Sequence, residues 1–231
     1  MKKKIVLYSE PLYIFANILL AFAVALTAAS DFGVSMIVAP AYILHLKIGF
    51  LTFGQCEYLV QGVLFIAFCI LMKHVKAVYF SAFLTCLIYG AILDLWRLII
   101  PAFNPNVTDF ASLGIPTRVA FFIAGEVLTA CAIALFFKIY LYPQVVDFFV
   151  KGVAARFSLN LTRFKMICDG SMFLLSVVLS LIFFHGFRGI GWGTLVLTAT
   201  NGLIIGLFSR LLDKTVEIRP LFPDFAKKFE L

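Results

Sequence analysis

Six long apolar segments alternate with shorter polar connections along this chain. Each apolar segment has about 20 residues, the length at which an α-helix crosses the hydrocarbon core of a bilayer. The pattern therefore predicts six membrane-spanning helices. Their expected limits are 12–29, 55–72, 77–100, 117–142, 168–185 and 192–212.

Two further segments are apolar but poorly suited to span a membrane. Residues 33–53 are broken by Pro40, Lys47 and Gly49, and residues 143–165 carry basic side chains among apolar ones. We expect interfacial helical segments here. The first would lie on, or dip into, the outer face, and the second would lie on the inner face.

The lysines and arginines fall almost wholly on alternate connections. The N-terminus, the second and fourth connections and the C-terminal tail hold 15 of the 19. The others are Lys47, Arg97, Arg118 and Arg188. Because short loops rich in Lys and Arg stay cytoplasmic, both termini are predicted to be cytoplasmic.

The two halves of the chain share one order of segments: a span, an interfacial segment and two further spans. Three crossings per half is an odd number, so the second half must insert in the opposite direction. The predicted fold is thus an all-α membrane protein with a 3+3 inverted repeat, an arrangement used by many transporters. Its expected parts are one polytopic domain over 1–231, with a first half at 1–100, an outer linker at 101–116, a second half at 117–212 and a tail at 213–231.

Composition excludes a soluble fold, because 63% of the residues are hydrophobic and only 13% are charged. The net charge of +7 is scattered along one membrane face, which favours attraction to anionic lipid over nucleic-acid binding. The five cysteines show no CxxC spacing. There is no catalytic motif or metal-ligand cluster, so we predict neither an enzyme nor a cofactor or metal.

Glu126 lies near the middle of the fourth predicted span. An ionised carboxylate there costs about 3 kcal/mol on insertion scales, so a compensating interaction is expected. Glu126 either binds a proton or a cationic substrate, or it joins two helices by a hydrogen bond. The residue pattern favours neither reading.

Other polar residues complete a candidate substrate site. Asp94 and Arg97 share a helix face and are expected to form an ion pair. Gln61 and Asn201 are intramembrane amides, suited either to helix association or to a pocket. Glu57 and Asp169 are each expected to lie at the start of a span, where a carboxylate interacts with the helix dipole.

Gly189, Gly191, Gly193 and Thr194 belong to the most distinctive stretch of the chain, which enters the last span. It forms either a tight turn or an unwound entry whose N–H groups face a ligand. A Gly202/Gly206 pair in the last span and an alanine stripe in the first span (residues 21, 25 and 29) indicate close helix packing, within the chain or with a partner.

A set of residues in the second half carries a family resemblance: Tyr142, Pro143, Asp147, Phe148, Asp169, Gly189, Ile190, Gly191, Gly193 and Thr194. In these residues the chain resembles the YczE/YyaS/YitT-like bacterial membrane proteins, and the GIG-x-GT element is the most specific match. In the first half, Gly33 and Ser35 match the Gly-x-Ser opening of that family, while Met36 stands where the family has proline. The resemblance implies a six-helix protein of the bacterial inner membrane, in a group whose biochemical role is largely undefined.

Three functions remain open at this stage. The leading prediction is a small-solute transporter or permease, with a midplane site near Glu126 between the inverted halves. A second is a substrate-binding membrane subunit that docks on an energy-coupling partner through the alanine stripe. A third is a structural or assembly protein without a ligand. The expected partners are the lipid bilayer, a small-molecule substrate and a packing helix or second copy of the chain, but not nucleic acid.

Overall fold

A computed structural model describes residues 4–73 and 76–229. Within this part of the chain, six helices are long and apolar enough to cross a membrane, as predicted. In chain order, the helices and strands are β1 (Ile5–Tyr8), α1 (Ser9–Ser30), α2 (Ala39–Ile48), α3 (Phe53–Met72), α4 (Phe80–Ile99), α5 (Ile115–Phe136), α6 (Val145–Arg156), α7 (Leu161–Phe184), α8 (Trp192–Thr215), β2 (Val216–Arg219) and α9 (Pro223–Ala226). The protein is therefore built as a multi-pass helical membrane protein. His74, in the connection after the second predicted span, lies outside the described residues.

Two spanning helices differ in extent from the prediction. α5 ends at Phe136 rather than at residue 142, because the chain turns and re-enters the bundle before α6. α7 begins at Leu161 rather than at residue 168, because Asn160 caps it by accepting a hydrogen bond from the backbone N–H of Arg163 (3.0 Å). Arg163 and Lys165 therefore belong to a spanning helix instead of an interfacial segment.

Helix α1 is the most buried of the six and packs against both α5 and α4. Its predicted alanine stripe is used for these internal contacts, since Ala21 and Ala25 are fully buried. The contact of α1 with α5 requires close approach at Gly125 of α5. A Cβ there would lie 2.6 Å from Cγ2 of Thr27 and 2.9 Å from the carbonyl oxygen of Ala23.

Helices α7 and α8 lie apart from each other. α3 packs along α4, but α7 and α8 lack a comparable backbone contact along their described lengths. Gly202 and Gly206 of α8 each face open space, because a Cβ added at either position would meet no atom within 4 Å. This glycine pair therefore does not mediate a helix contact within the described residues.

The short helices α2 and α6 are half-helices that run through the bundle rather than on its faces. Their 10 and 12 residues span about 15 and 18 Å, roughly half of a 30 Å hydrocarbon core. α6 starts beside Gln61, at the middle of α3, and ends where Arg156 donates to the carbonyl oxygen of Met72, at the end of α3. α2 is buried over residues 39–43 and half-buried or exposed beyond. Both segments are helical as predicted, but the interfacial position predicted for α6 is wrong.

The two ends of the chain meet in a parallel two-stranded sheet. Ile5 of β1 pairs with Val216 of β2, and the register continues to Tyr8 and Arg219. β1 precedes α1 and β2 follows α8, so the sheet places both ends at the same end of the bundle. This arrangement agrees with an even number of crossings. Neither strand was predicted.

Candidate functional site

A cavity of about 230 Å³ lies inside the bundle, beside the gap between α7 and α8. Its walls come from all the spanning helices except α3, together with the loop before α2 and the start of α6. Apolar side chains dominate, as is usual for small-molecule sites. The polar side chains at its wall are Ser35, Tyr89, Thr129, Gln144, Asp147, Lys165, Asp169, Thr198 and Asn201.

Both half-helices begin at this cavity. Residues 35–38, which lead into α2, form one part of the wall, and Pro143 to Asp147, at the start of α6, form another. The N-terminus of a helix carries a partial positive charge and backbone N–H groups without helical partners. Two such ends at one cavity are the arrangement that transporters with broken helices use to hold polar solutes.

Lys165 of α7 forms an ion-pair cluster at the cavity wall. Its ammonium group lies 3.1 Å from Oδ1 of Asp147 on α6 and 3.8 Å from Oδ1 of Asp169 on α7. Asp169 is the ninth residue of α7, too far along the helix to interact with its N-terminal dipole. The dipole role predicted for Asp169 is therefore wrong, because the helix starts earlier than expected.

Several polar atoms at the cavity wall have no hydrogen-bond partner. In the described part of the chain, seven buried side-chain polar atoms lack one, and four of them belong to residues of this wall. The four are Tyr89 Oη, Gln144 Nε2, Asp169 Oδ1 and Asn201 Oδ1. Each of these atoms has less than 1 Å² of accessible surface, so they lie within the wall beside the cavity, where leaving a buried polar group unpaired costs about 1–3 kcal/mol.

A buried hydrogen-bond network supports the cavity wall from behind. Gln61 donates to Oε2 of Glu57 (2.9 Å) and to Oε1 of Gln144 (3.2 Å), and its own Oε1 accepts from the backbone N–H of Val145 (3.1 Å). Glu57 is only 3% exposed and is the fifth residue of α3. The dipole role predicted for Glu57 is taken instead by Thr52 and Gln55, which form a capping box at the start of α3.

Glu126 is buried but does not line the cavity. It accepts a hydrogen bond from the hydroxyl of Thr200, and this bond joins α5 to α8. Thr129, about one turn further along α5, does reach the cavity. The geometry thus gives Glu126 a helix-joining contact next to the site. Its predicted substrate role stays a prediction.

Asp94 and Arg97 do not form the expected ion pair. Asp94 caps α3 by accepting from the hydroxyl of Thr52 (2.5 Å) and the backbone N–H of Gly54 (2.9 Å). Arg97 turns the other way, lies over the ring of Phe53 and donates to the ring of His45. Neither residue lines the cavity. The short spacing of Asp94 and Arg97 in the sequence was misleading, because Asp94 is bonded at the start of α3 and Arg97 is bonded to α2.

The glycine-rich entry to α8 forms a tight turn against the loop that follows α1. The backbone N–H of Val34 donates to the carbonyl oxygen of Gly189 (3.3 Å), and that of Gly193 donates to Phe32 (3.0 Å). A Cβ at Gly191 or Gly193 would lie 2.7 Å from the carbonyl oxygen of Phe32. This contact favours the turn interpretation.

Thr194 completes the same turn. Its hydroxyl accepts from the backbone N–H of Gly191 (3.3 Å), and a Cβ added at Gly33 would lie 2.5 Å from it. Gly33 has a φ of +103°, a conformation that suits glycine. Among the predicted site residues, only Asn201 lines the cavity directly, while Gln61 acts through Gln144.

Sequence analysis missed most of this site. Gln144, Lys165 and Tyr89 were not predicted, because the fourth span was extended past its true end and the ion-pair cluster was assigned to a surface segment. One signal was present. Ser35, Pro143, Asp147 and Asp169 all contribute to the family resemblance, and all of them line the cavity.

The chain matches a family model described as a family of unknown function, DUF6198, over residues 7–210. The chain belongs to this family. The matched region includes all six spanning helices of this DUF6198 protein, apart from the last residues of α8. No curated protein and no solved structure matches the chain.

Proposed function

We propose that this DUF6198 protein is a small-solute transporter or permease whose site is the cavity between α7, α8 and the two half-helices. The observation that carries the proposal is the cavity wall itself. The ion-pair cluster of Lys165 with Asp147 and Asp169 lies there together with two helix N-termini, inside a largely apolar bundle. A purely structural protein gains nothing from such a cluster, since replacing buried charges by apolar side chains is often neutral or stabilising.

The proposal includes the 3+3 inverted repeat, and the packing partners of the helices support it. In this repeat, helices α1 to α4 correspond in order to helices α5 to α8. α1 packs on α4 as α5 packs on α8, and α2 packs on α3 as α6 packs on α7. Across the halves, α2 contacts α7 as α3 contacts α6. The contact between α1 and α5 joins two corresponding helices, so the repeat maps this contact onto itself. Halves related in this way allow a central site to open alternately to the two sides.

The largest break in this correspondence is that α3 and α4 are packed together while α7 and α8 are apart. In an alternating-access cycle the two halves exchange conformations. We therefore propose that α7 and α8 close over the cavity in another state, in the way that α3 and α4 close now. The gap then marks one end state of the cycle.

The two other functions have less support. Docking on an energy-coupling partner was predicted through the alanine stripe of α1, and that stripe is occupied by α4 and α5. A structural role without a ligand does not account for the cavity. We also propose that the protein lies in the bacterial inner membrane, on the basis of the motifs that resemble YczE/YyaS/YitT-like proteins. The basic-residue pattern supports cytoplasmic termini. The lack of a catalytic set in the sequence supports a function other than catalysis.

A pair of glycines allows a matched test. Gly202 and Gly206 lie one turn apart on α8, neither meets a neighbour, and only Gly202 lines the cavity. Proteoliposomes would be loaded with a bacterial metabolite extract, and the solutes released would be identified by mass spectrometry. We expect selective release with wild type and Gly206→Trp, and none with Gly202→Trp. Equal release by both variants would reject the proposal. So would a release by wild type no greater than that from loaded liposomes without protein.

A further inference from the structure

Glu57 of α3 is a buried carboxyl group without a basic partner. Its Oε2 accepts a hydrogen bond from Nε2 of Gln61 (2.9 Å), while its Oε1 has no hydrogen-bond partner. Among the ion pairs between described residues, none includes Glu57. A buried carboxylate without a cation costs far more free energy than one unpaired but uncharged polar group. The neutral acid therefore suits this environment, with the proton on Oε1.

The helices packed against α3 do not neutralise this acid. Cys56 precedes it on α3, and the titratable or charged side chains that these helices bring to the first half of α3 are Cys86, Tyr89, Asp94 and Arg97 of α4, His45 of α2 and Asp147 of α6. Asp94, Arg97, His45 and Asp147 are bonded to other partners. Cys86 donates only to the backbone carbonyl oxygen of Glu57 (3.9 Å).

Gln61 links the acid to the wall of the cavity. The nitrogen that donates to Glu57 also donates to Oε1 of Gln144 (3.2 Å), and the oxygen of Gln61 accepts from the backbone N–H of Val145 (3.1 Å). Val145 is the first residue of α6, and Gln144 precedes it and belongs to the cavity wall. One side chain therefore contacts the acid and holds the start of α6.

Loss of the proton from Glu57 would change what this link must supply. A carboxylate needs more donors than a neutral acid. Nε2 of Gln144 is a donor without a partner, and the N-terminus of α6 beside it carries a partial positive charge. Gln61 now separates both from Glu57, so bringing them closer requires a movement of the cavity wall. The charge of Glu57 and the shape of the cavity are therefore coupled.

We propose that Glu57 is the proton-binding residue of a proton-coupled transporter. One proton is held on Oε1 in the conformation described here, and it leaves to water when the start of α6 moves and donors reach the carboxylate; no other bond forms or breaks. Buried glutamates carry protons in pumps and transporters. The burial of Glu57 fits this role, since a carried proton must be shielded until the wall moves. The inference rests on the proposed function, because it names the ion that drives the same transporter.

The test measures solute distribution under opposite pH gradients. Proteoliposomes of the full-length protein are loaded with the metabolite extract, and valinomycin with equal potassium on both sides holds the membrane potential at zero. With one proton per solute, a gradient of one pH unit should shift the inside-to-outside ratio of the released solute by about tenfold, in opposite directions for opposite gradients. Glu57→Gln cannot bind the proton and should give equal concentrations on both sides. Glu217→Gln makes the same exchange at an exposed carboxylate paired with Arg219, and should behave as wild type.

Infrared spectroscopy in lipid at neutral pH locates the proton without transport, since a protonated carboxyl group has a C=O stretching band that a carboxylate lacks. Glu57→Gln should remove such a band from the wild-type spectrum, and Glu217→Gln should not. Glu57→Asp keeps a carboxyl group, so it should shift the band and retain the response to the gradient, even if Glu57→Gln fails to fold.

Three results would overturn the inference and leave the proposed function standing. They are solute release by wild type that ignores the gradient, a gradient response that persists in Glu57→Gln, and a carboxyl band that neither Glu57→Gln nor Glu57→Asp changes. Absence of any release by wild type would instead reject the proposed function, and the inference with it.

Discussion

Arg97 of α4 donates a hydrogen bond from Nη1 to Nε2 of His45 on α2, at 3.1 Å. The other ring nitrogen, Nδ1, contacts the carbonyl oxygen of Leu51 at 2.7 Å and must donate to it. His45 is therefore held as a neutral imidazole that bridges α2 to the C-terminal end of α4. Burial, followed by the charge of Arg97, lowers the pKa of His45 below its usual value.

This contact predicts how stability depends on pH. A histidine with a lowered pKa in the folded state takes up a proton on unfolding when the pH lies between that pKa and the unfolded value of about 6.5. Its contribution to stability is complete above about pH 6.5 and is lost as the pH falls below it. Between about pH 7.5 and about pH 5.5, the thermal midpoint of wild type should fall more than that of His45→Gln. Circular dichroism in detergent would measure both, and equal falls would contradict this role of His45.

The tight contact between the α8 entry and the loop after α1 predicts a strong effect of one methyl group. In Gly193→Ala the new Cβ would lie 2.7 Å from the carbonyl oxygen of Phe32, and backbone would have to move. We expect a loss of about 1–3 kcal/mol in unfolding free energy. The matched control is Gly206→Ala, which meets nothing and should stabilise the helix by about 1 kcal/mol. Denaturant unfolding in mixed micelles measures both, and equal effects would reject the contact.

The capping contact of Asp94 predicts a moderate cost of its removal. Asp94→Ala leaves the hydroxyl of Thr52 and the N–H of Gly54 without their acceptor, and should cost about 1 kcal/mol. Asp109→Ala is the control, because Asp109 caps only a short exposed turn, through the N–H of Ala111. A double-mutant cycle with Arg97→Gln should give a coupling near zero. A coupling of about 1 kcal/mol or more would restore the ion pair that the sequence suggested.

The proposed orientation predicts opposite labelling of two exposed positions. In a variant without native cysteines, Asn106→Cys lies in the connection between α4 and α5, and Ser158→Cys follows α6. A membrane-impermeant thiol reagent added to intact cells should label Asn106→Cys at once and Ser158→Cys only after lysis. Labelling of both from one side would show that the halves are not inserted as proposed.

The sequence predicted the number of spans because a long apolar run has few alternatives in a bilayer. It did not predict that α6 enters the bundle, since the basic residues that follow α6 resemble those of a surface helix. The length of the segment before α7 is a better signal. Once α7 is assigned its 24 residues, the segment before it is too short for a long surface helix. Helix ends were the weakest part, as the shifted start of α7 shows.

The candidate site was harder to predict than the fold. Glu126 was chosen because an intramembrane carboxylate is conspicuous, yet its partner Thr200 is an ordinary hydroxyl on another helix. The cavity depends on long-range neighbours, such as Gln61 with Gln144 and Lys165 with Asp147. No local pattern encodes such pairs. The residues that resemble a known family came closer to the cavity than any argument from charge.

The pairing of β1 with β2 also imposes an order on biosynthesis. Ile5 leaves the ribosome before the six spanning helices, but its partner Val216 follows only after all six have been made. Residues so distant in sequence make contact late, because closing a long loop requires a large loss of chain entropy. Until then, β1 has an unpaired strand edge in the nascent bundle. The pairing of β1 with β2 is therefore a late step of assembly, and a protein truncated before Val216 would leave β1 unpaired.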